Sequence, residues 1–105
     1  MADKINPPVR NETWTHYICL DDCASPGNFL VNPTIVANDF KTGLDDGAIG
    51  NFGTAPVVSP AGSRWIKLVF AAGETNGAVV KIQCISTASP KLFTDWCVAI
   101  PTLTP

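Results

Sequence analysis

Charge is scarce in this sequence: Asp, Glu, Lys and Arg make up 15% of its 105 residues, against roughly 25% in an average soluble domain. Nine acidic and seven basic residues leave a net charge of -2, which supplies no basic footprint for DNA or RNA and none for an anionic membrane. No apolar run approaches the roughly 20 residues that cross a bilayer as a helix. There is one histidine, so any histidine-based general base would have to centre on His16. No glycine-rich phosphate cradle precedes a helical pattern. The opening Met1-Ala2-Asp3-Lys4-Ile5-Asn6-Pro7-Pro8 has no apolar core of a secretory leader. Synthesis in a cytoplasm is therefore expected, and the glycosylation pattern Asn11-Glu12-Thr13 reads as coincidental.

What the chain has instead is punctuation. Nine prolines and eight glycines separate short segments rich in β-branched and aromatic residues, and no segment carries a useful apolar stripe of helical period. The pattern predicts an all-β fold, a single small antiparallel β-sandwich of immunoglobulin-like or jelly-roll-like type. Residues 1–13 read as an extended N-terminal arm, 14–100 as the sandwich and 101–105 as an extended C-terminal tail. Pro7, Pro8 and Pro101 fix extended backbone at the two ends and are expected to carry arm contacts. Within the sandwich, strands are expected near 14–20, 34–41, 48–52, 55–59, 64–70, 78–86 and 92–100. Asp45-Asp46-Gly47 and Asn76-Gly77 read as hairpin turns. Trp65, Phe70 and Trp96 are expected in the core.

The residues that could carry chemistry are few. Nothing around His16 completes a nucleophile-base pair, and its reading is a half-buried strand histidine. Asp21-Asp22 and Asp45-Asp46 are adjacent carboxylates on turns, where such residues commonly bond their own backbone. No catalytic, cofactor-binding or metal-binding residue is expected, and no cofactor. The four cysteines lack the paired C-x2-C spacing of structural zinc sites. Alternation puts Cys84 in the core and Cys97 outside, with Cys19 on an outer face. Cys19, Cys23 and Cys97 are thus the thiols available for a disulfide or a bridge between subunits. The other reading is four reduced residues packed as small hydrophobes.

Gly62-Ser63-Arg64-Trp65-Ile66-Lys67-Leu68-Val69-Phe70-Ala71-Ala72-Gly73-Glu74-Thr75-Asn76 resembles a pattern from small β-sandwich virion proteins of tailed bacteriophages. The pattern runs from a Gly-aromatic-x-Lys-Leu strand to an acidic-Thr-Asn corner. Leu44-Asp45-Asp46-Gly47-Ala48 is similar to the hairpin of that family, Thr94-Asp95-Trp96 to the entry of its last strand, and Tyr17-Ile18-Cys19-Leu20-Asp21-Asp22 to its opening strand. The resemblance implies a structural component of a virion, made in the host cytoplasm. It would be a capsid decoration protein, or else a neck, collar or tail-fibre-mount protein. Its partners would be other virion proteins and further copies of itself, with no nucleic acid and no membrane. A rival reading is a glycan or cell-surface binding module that stacks sugars on Trp14, Tyr17 or Trp65. A third is a metal-binding domain on His16 and the cysteines.

Overall fold

The computed structural model describes residues 7–105. Within these residues seven strands follow one another: β1 (Trp14–Ile18), β2 (Phe40–Leu44), β3 (Gly50–Asn51), β4 (Val57–Val58), β5 (Ile66–Phe70), β6 (Val79–Cys84) and β7 (Trp96–Pro101). They form two antiparallel sheets, of order β1-β5-β4 and β3-β2-β6-β7. The two sheets pack face to face as a small β-sandwich. Among the described residues the only helical pieces are single 3-10 turns at Ala37–Asp39 and Ala72–Thr75.

Period-2 alternation builds the core. In β5, Ile66, Leu68 and Phe70 are buried while Lys67 and Val69 are not. In β6, Val80, Ile82 and Cys84 are buried on the facing sheet. Ile18 from β1, Phe40 from β2 and Leu20, Phe52 and Phe93 from the loops complete the cluster. The aromatic members interlock: the Phe52 and Phe70 rings meet edge-on at 5.0 Å, and Phe40 and Phe93 lie 6.1 Å apart. Side chains of this size each contribute roughly 1.5–3 kcal/mol on full burial.

Several elements differ from the pattern-based expectation. The apolar run Ile35-Val36-Ala37 is not a strand. The chain turns at 37–39 so that Asp39 is buried, and its carboxylate accepts from the Thr87 hydroxyl (2.7 Å) and the Thr87 amide (3.1 Å). Asn76-Gly77 is not a hairpin, because β5 and β6 belong to different sheets and this segment crosses between them. Glycine is required there for closeness: a Cβ on Gly77 would lie 2.9 Å from Asp45 Oδ2 and 3.2 Å from Leu44 Cβ. The Asp45-Asp46-Gly47 turn does join β2 to β3, with Asp45 taking the left-handed conformation at φ 49°. Its carboxylate accepts from the amides of Ala78 and Val79, which pins the turn to β6. Trp65 is exposed, as its shared alternation with Lys67 requires, and Trp96 is half-buried.

The chain ends lie together. Val9 and Leu103 form a parallel bridge, with the Leu103 amide donating to Pro8 O (2.8 Å) and the Arg10 amide to Leu103 O (2.9 Å). Pro8 is fully buried. The segment after it is tied to the inter-sheet crossing by Thr75, whose hydroxyl donates to Glu12 O (2.6 Å) and accepts from the Glu12 amide (3.1 Å). Residues 8–12 therefore lie along their own domain. Pro8 is held by its own chain, its carbonyl accepting from Leu103. Pro7 is exposed, and Pro101 is the exposed last residue of β7, so that strand runs one residue past the expected end of the sandwich. The part of the arm at 1–6 lies outside the described residues.

Candidate functional site

The outer face of the three-stranded sheet gathers several exposed apolar side chains on regular structure. Tyr17 pairs with Lys67, and Lys67 with Val57 on the other side, so these three side chains form one row across the sheet. In an antiparallel pair, directly opposed residues project from the same face. Trp65 lies two residues before Lys67 on that face, and its carbonyl accepts from the Ser59 amide (3.0 Å). Tyr17 is 48% exposed, Trp65 50% and Val57 50%. The half-exposed Val69 pairs with Thr15 at the far end. Continuing the register places Cys19 level with Trp65. Lys67 is the one charged side chain within this patch, and Arg64 borders it.

Sequence alternation assigned Tyr17 and Lys67 to an outer face. It gave no role to Val57, which sits in a two-residue strand. The signal for Val57 lay in the neighbouring strand: whatever pairs with Lys67 must also point outward. Trp14, the third aromatic of the stacking-platform reading, lies on the other side of the sheet. Its ring packs on Phe70 at 4.8 Å and stacks on His16 at 4.8 Å. Only Tyr17 and Trp65 are on the open face.

His16 sits on the core side of β1 at the sandwich margin, opposite Leu68. Burial holds its pKa below the usual 6.5, which favours the neutral ring. No nucleophile or carboxylate is placed against it by any hydrogen bond or ion pair among the described residues. The same residues contain no group of three or more His, Cys, Asp or Glu side chains able to hold a metal ion.

All four cysteines are free thiols. Cys84 is buried between the sheets, where burial and the nearby Asp39 push its pKa up to about 12. Burial also raises that of Cys19, with Arg64 pulling partly back. Cys97 is exposed on β7, and Cys23 is exposed in the loop with its sulfur 3.9 Å from the Thr94 hydroxyl. Cys19 follows β1 and Cys97 lies in β7, strands of different sheets. A bond between Cys19 and Cys97 needs those strands to be neighbours, and this fold does not make them so.

A shallow depression of about 350 Å³ opens beside the β2–β3 hairpin, walled by Gly43, Gly47, Gly50 and Gly73 with Glu74 at its rim. Glu74 is already engaged, accepting from the amides of Ala71 (2.8 Å) and Gly53 (3.0 Å). The hollow therefore presents backbone and small side chains with no reactive pair. Comparison with protein-family models, with curated proteins and with solved structures finds no match.

Proposed function

We propose that this chain is a structural protein of a tailed-phage virion, a capsid decoration protein that docks through the outer face of its three-stranded sheet. The observation that carries the docking role is the row Tyr17–Lys67–Val57 with Trp65 beside it. Two half-exposed aromatic rings and an exposed valine share one flat sheet face with a single cation. Aromatic residues are enriched at interface cores and Lys, Glu and Asp are depleted there, so this face has the composition of a contact surface. The virion setting rests on the resemblance of residues 62–76 and of the two flanking motifs. In this role the sandwich supplies a rigid tile, and the chain does no chemistry. A neck, collar or tail-fibre-mount position uses the same face on a different virion partner.

The test is reconstitution on phage particles that lack the protein. Such particles should lose resistance to heat and to chelation. The native chain should restore it, and Trp65→Ser should bind at least tenfold more weakly while keeping the fold, because Trp65 is outside the core. Particles lacking the chain that match the wild type in head surface and resistance would refute the decoration role. Exposure of Tyr17 and Trp65 also favours the glycan-platform reading. That reading predicts saccharide binding on a glycan array, lost in Trp65→Ser, and an array with no signal excludes it.

A further inference from the structure

The second feature is the outer edge of β7, where part of the backbone has no partner among the described residues. Antiparallel pairing alternates, so that every second residue turns both its N–H and its C=O toward the same neighbour. The Thr102 amide donates to Ala78 O (2.9 Å), so the even-numbered residues Trp96, Val98 and Ile100 face β6. The odd-numbered Cys97, Ala99 and Pro101 face away from it. The next odd residue shows what this edge accepts: Leu103 gives its N–H to Pro8 and takes the Arg10 amide on its C=O. Further back along the edge, Cys97 and Ala99 keep four backbone groups that pair with no described residue. Pro101 has no N–H to offer, and a proline at an edge strand confines pairing to the residues before it.

The side chains along this edge are apolar. Val98 lies on the core side of β7, opposite the buried Ile82, yet it is 37% exposed. The core side of β7 thus extends beyond the cover of the three-stranded sheet. Trp96 and Ile100 flank it, both half-buried. From Trp96 to Pro105 there is no charged residue.

We infer that β7 is a self-pairing edge whose occupant is a second copy of this chain, joined antiparallel about a two-fold axis at Val98. A two-fold interface must be self-complementary, and this edge is. With the axis at Val98, Cys97 of each copy faces Ala99 of the other, and all four free backbone groups are used. Val98 meets Val98, and Trp96 meets Ile100. The lack of charge matters because a charge near the axis would meet its own copy. The neighbouring registers are poorer: an axis at Ala99 sets Cys97 against Pro101, and an axis at Cys97 sets Ala99 against Asp95, outside the strand. The product is an eight-stranded sheet running through both copies. A single strand edge covers much less than the roughly 1,200–2,000 Å² of a stable interface. The pair is therefore weak and forms where copies are crowded. This edge is separate from the Tyr17–Trp65 face, so either can fail without the other.

Sedimentation of the intact chain should show a weight-average mass rising from 11.1 kDa toward twice that value as the concentration approaches the order of 1 mM. Ala99→Pro removes one outward N–H without touching the β6 ladder and should abolish the rise, with circular dichroism confirming that the strands remain. In a chain whose Cys19 and Cys23 are serine, Ala99→Cys oxidised with diamide should give at least fivefold more covalent dimer than Cys97 alone. The reason is that opposed residues sit about 5.5 Å apart, within disulfide reach, whereas the two copies of Cys97 lie on a diagonal. A monomeric mass at every concentration, or equal cross-linking with and without Ala99→Cys, overturns the inference.

Discussion

Replacing Thr75 with valine keeps the shape of a fully buried side chain and removes its hydroxyl. In the native chain that hydroxyl shares its one hydrogen between Glu12 O (2.6 Å) and Ala72 O (3.0 Å), and accepts from the Glu12 amide (3.1 Å). Each net hydrogen bond contributes about 0.5–1.5 kcal/mol, and a buried group left unpaired costs about 1–3 kcal/mol. Glu12 is exposed, so water can replace part of what is lost at that end, and the expected cost is about 1–2 kcal/mol. For a domain of this size 1 kcal/mol moves Tm by roughly 4–8 °C, so Thr75→Val should melt about 5–15 °C lower. Thr75→Ser deletes one buried methyl, worth about 0.8 kcal/mol, but keeps the bonds. Stability alone separates the two variants poorly, whereas amide exchange separates them well. The Glu12 amide, left with Val9 O (3.1 Å) as its one remaining acceptor, should exchange faster in Thr75→Val and at the native rate in Thr75→Ser. A valine variant with native Tm and a protected Glu12 amide would refute the claim that residues 8–12 are docked on their own domain through Thr75.

Two further outcomes follow from the titratable groups. Thiol labelling under native conditions should modify Cys23 and Cys97 promptly and leave Cys84 unreacted until the chain unfolds, since it is buried and its pKa is about 12; early modification of Cys84 would mean the sheets part readily. Because burial holds the folded-state pKa of His16 below 6.5, the unfolded chain binds the extra proton first as the pH falls. The His16 contribution is then fully present above about pH 6.5 and is lost as the pH drops through that value toward the folded pKa. Urea midpoints measured from pH 7.5 down to pH 5 should decline in the native chain and flatten in His16→Gln over that window.

The sandwich was legible where side chains alternate. Ile66, Leu68 and Phe70 against Lys67 and Val69 settle β5, and Val80, Ile82 and Cys84 settle β6, because a period of two sends one set into the core. Trp65 shows the same rule prevailing over residue size: its place in the alternation sent it outward, although its bulk argued for the core. What could not be read depends on partners far along the chain. Asp39 is buried because Thr87 satisfies its carboxylate, and nothing near residue 39 announces that. Pro8 is buried because Leu103 supplies a strand for it to follow. Asn76-Gly77 misleads because the turn preference of the pair coincides with a different need, close approach to Asp45 and Leu44. Of the outer face, Tyr17 and Lys67 were visible in their own strands, while Val57 became visible only through its pairing with Lys67.

The proposed docking role puts the Tyr17–Lys67–Val57 row and Trp65 against the particle. Hydroxyl-radical footprinting, on the free chain and on the chain bound to purified phage particles, tests it most directly. Tyr17 and Trp65, both reactive in the free chain, should become at least fivefold less reactive on the particle, while the Phe29 ring, exposed elsewhere, keeps its reactivity. Equal oxidation of Tyr17 and Trp65 in the two states would contradict it.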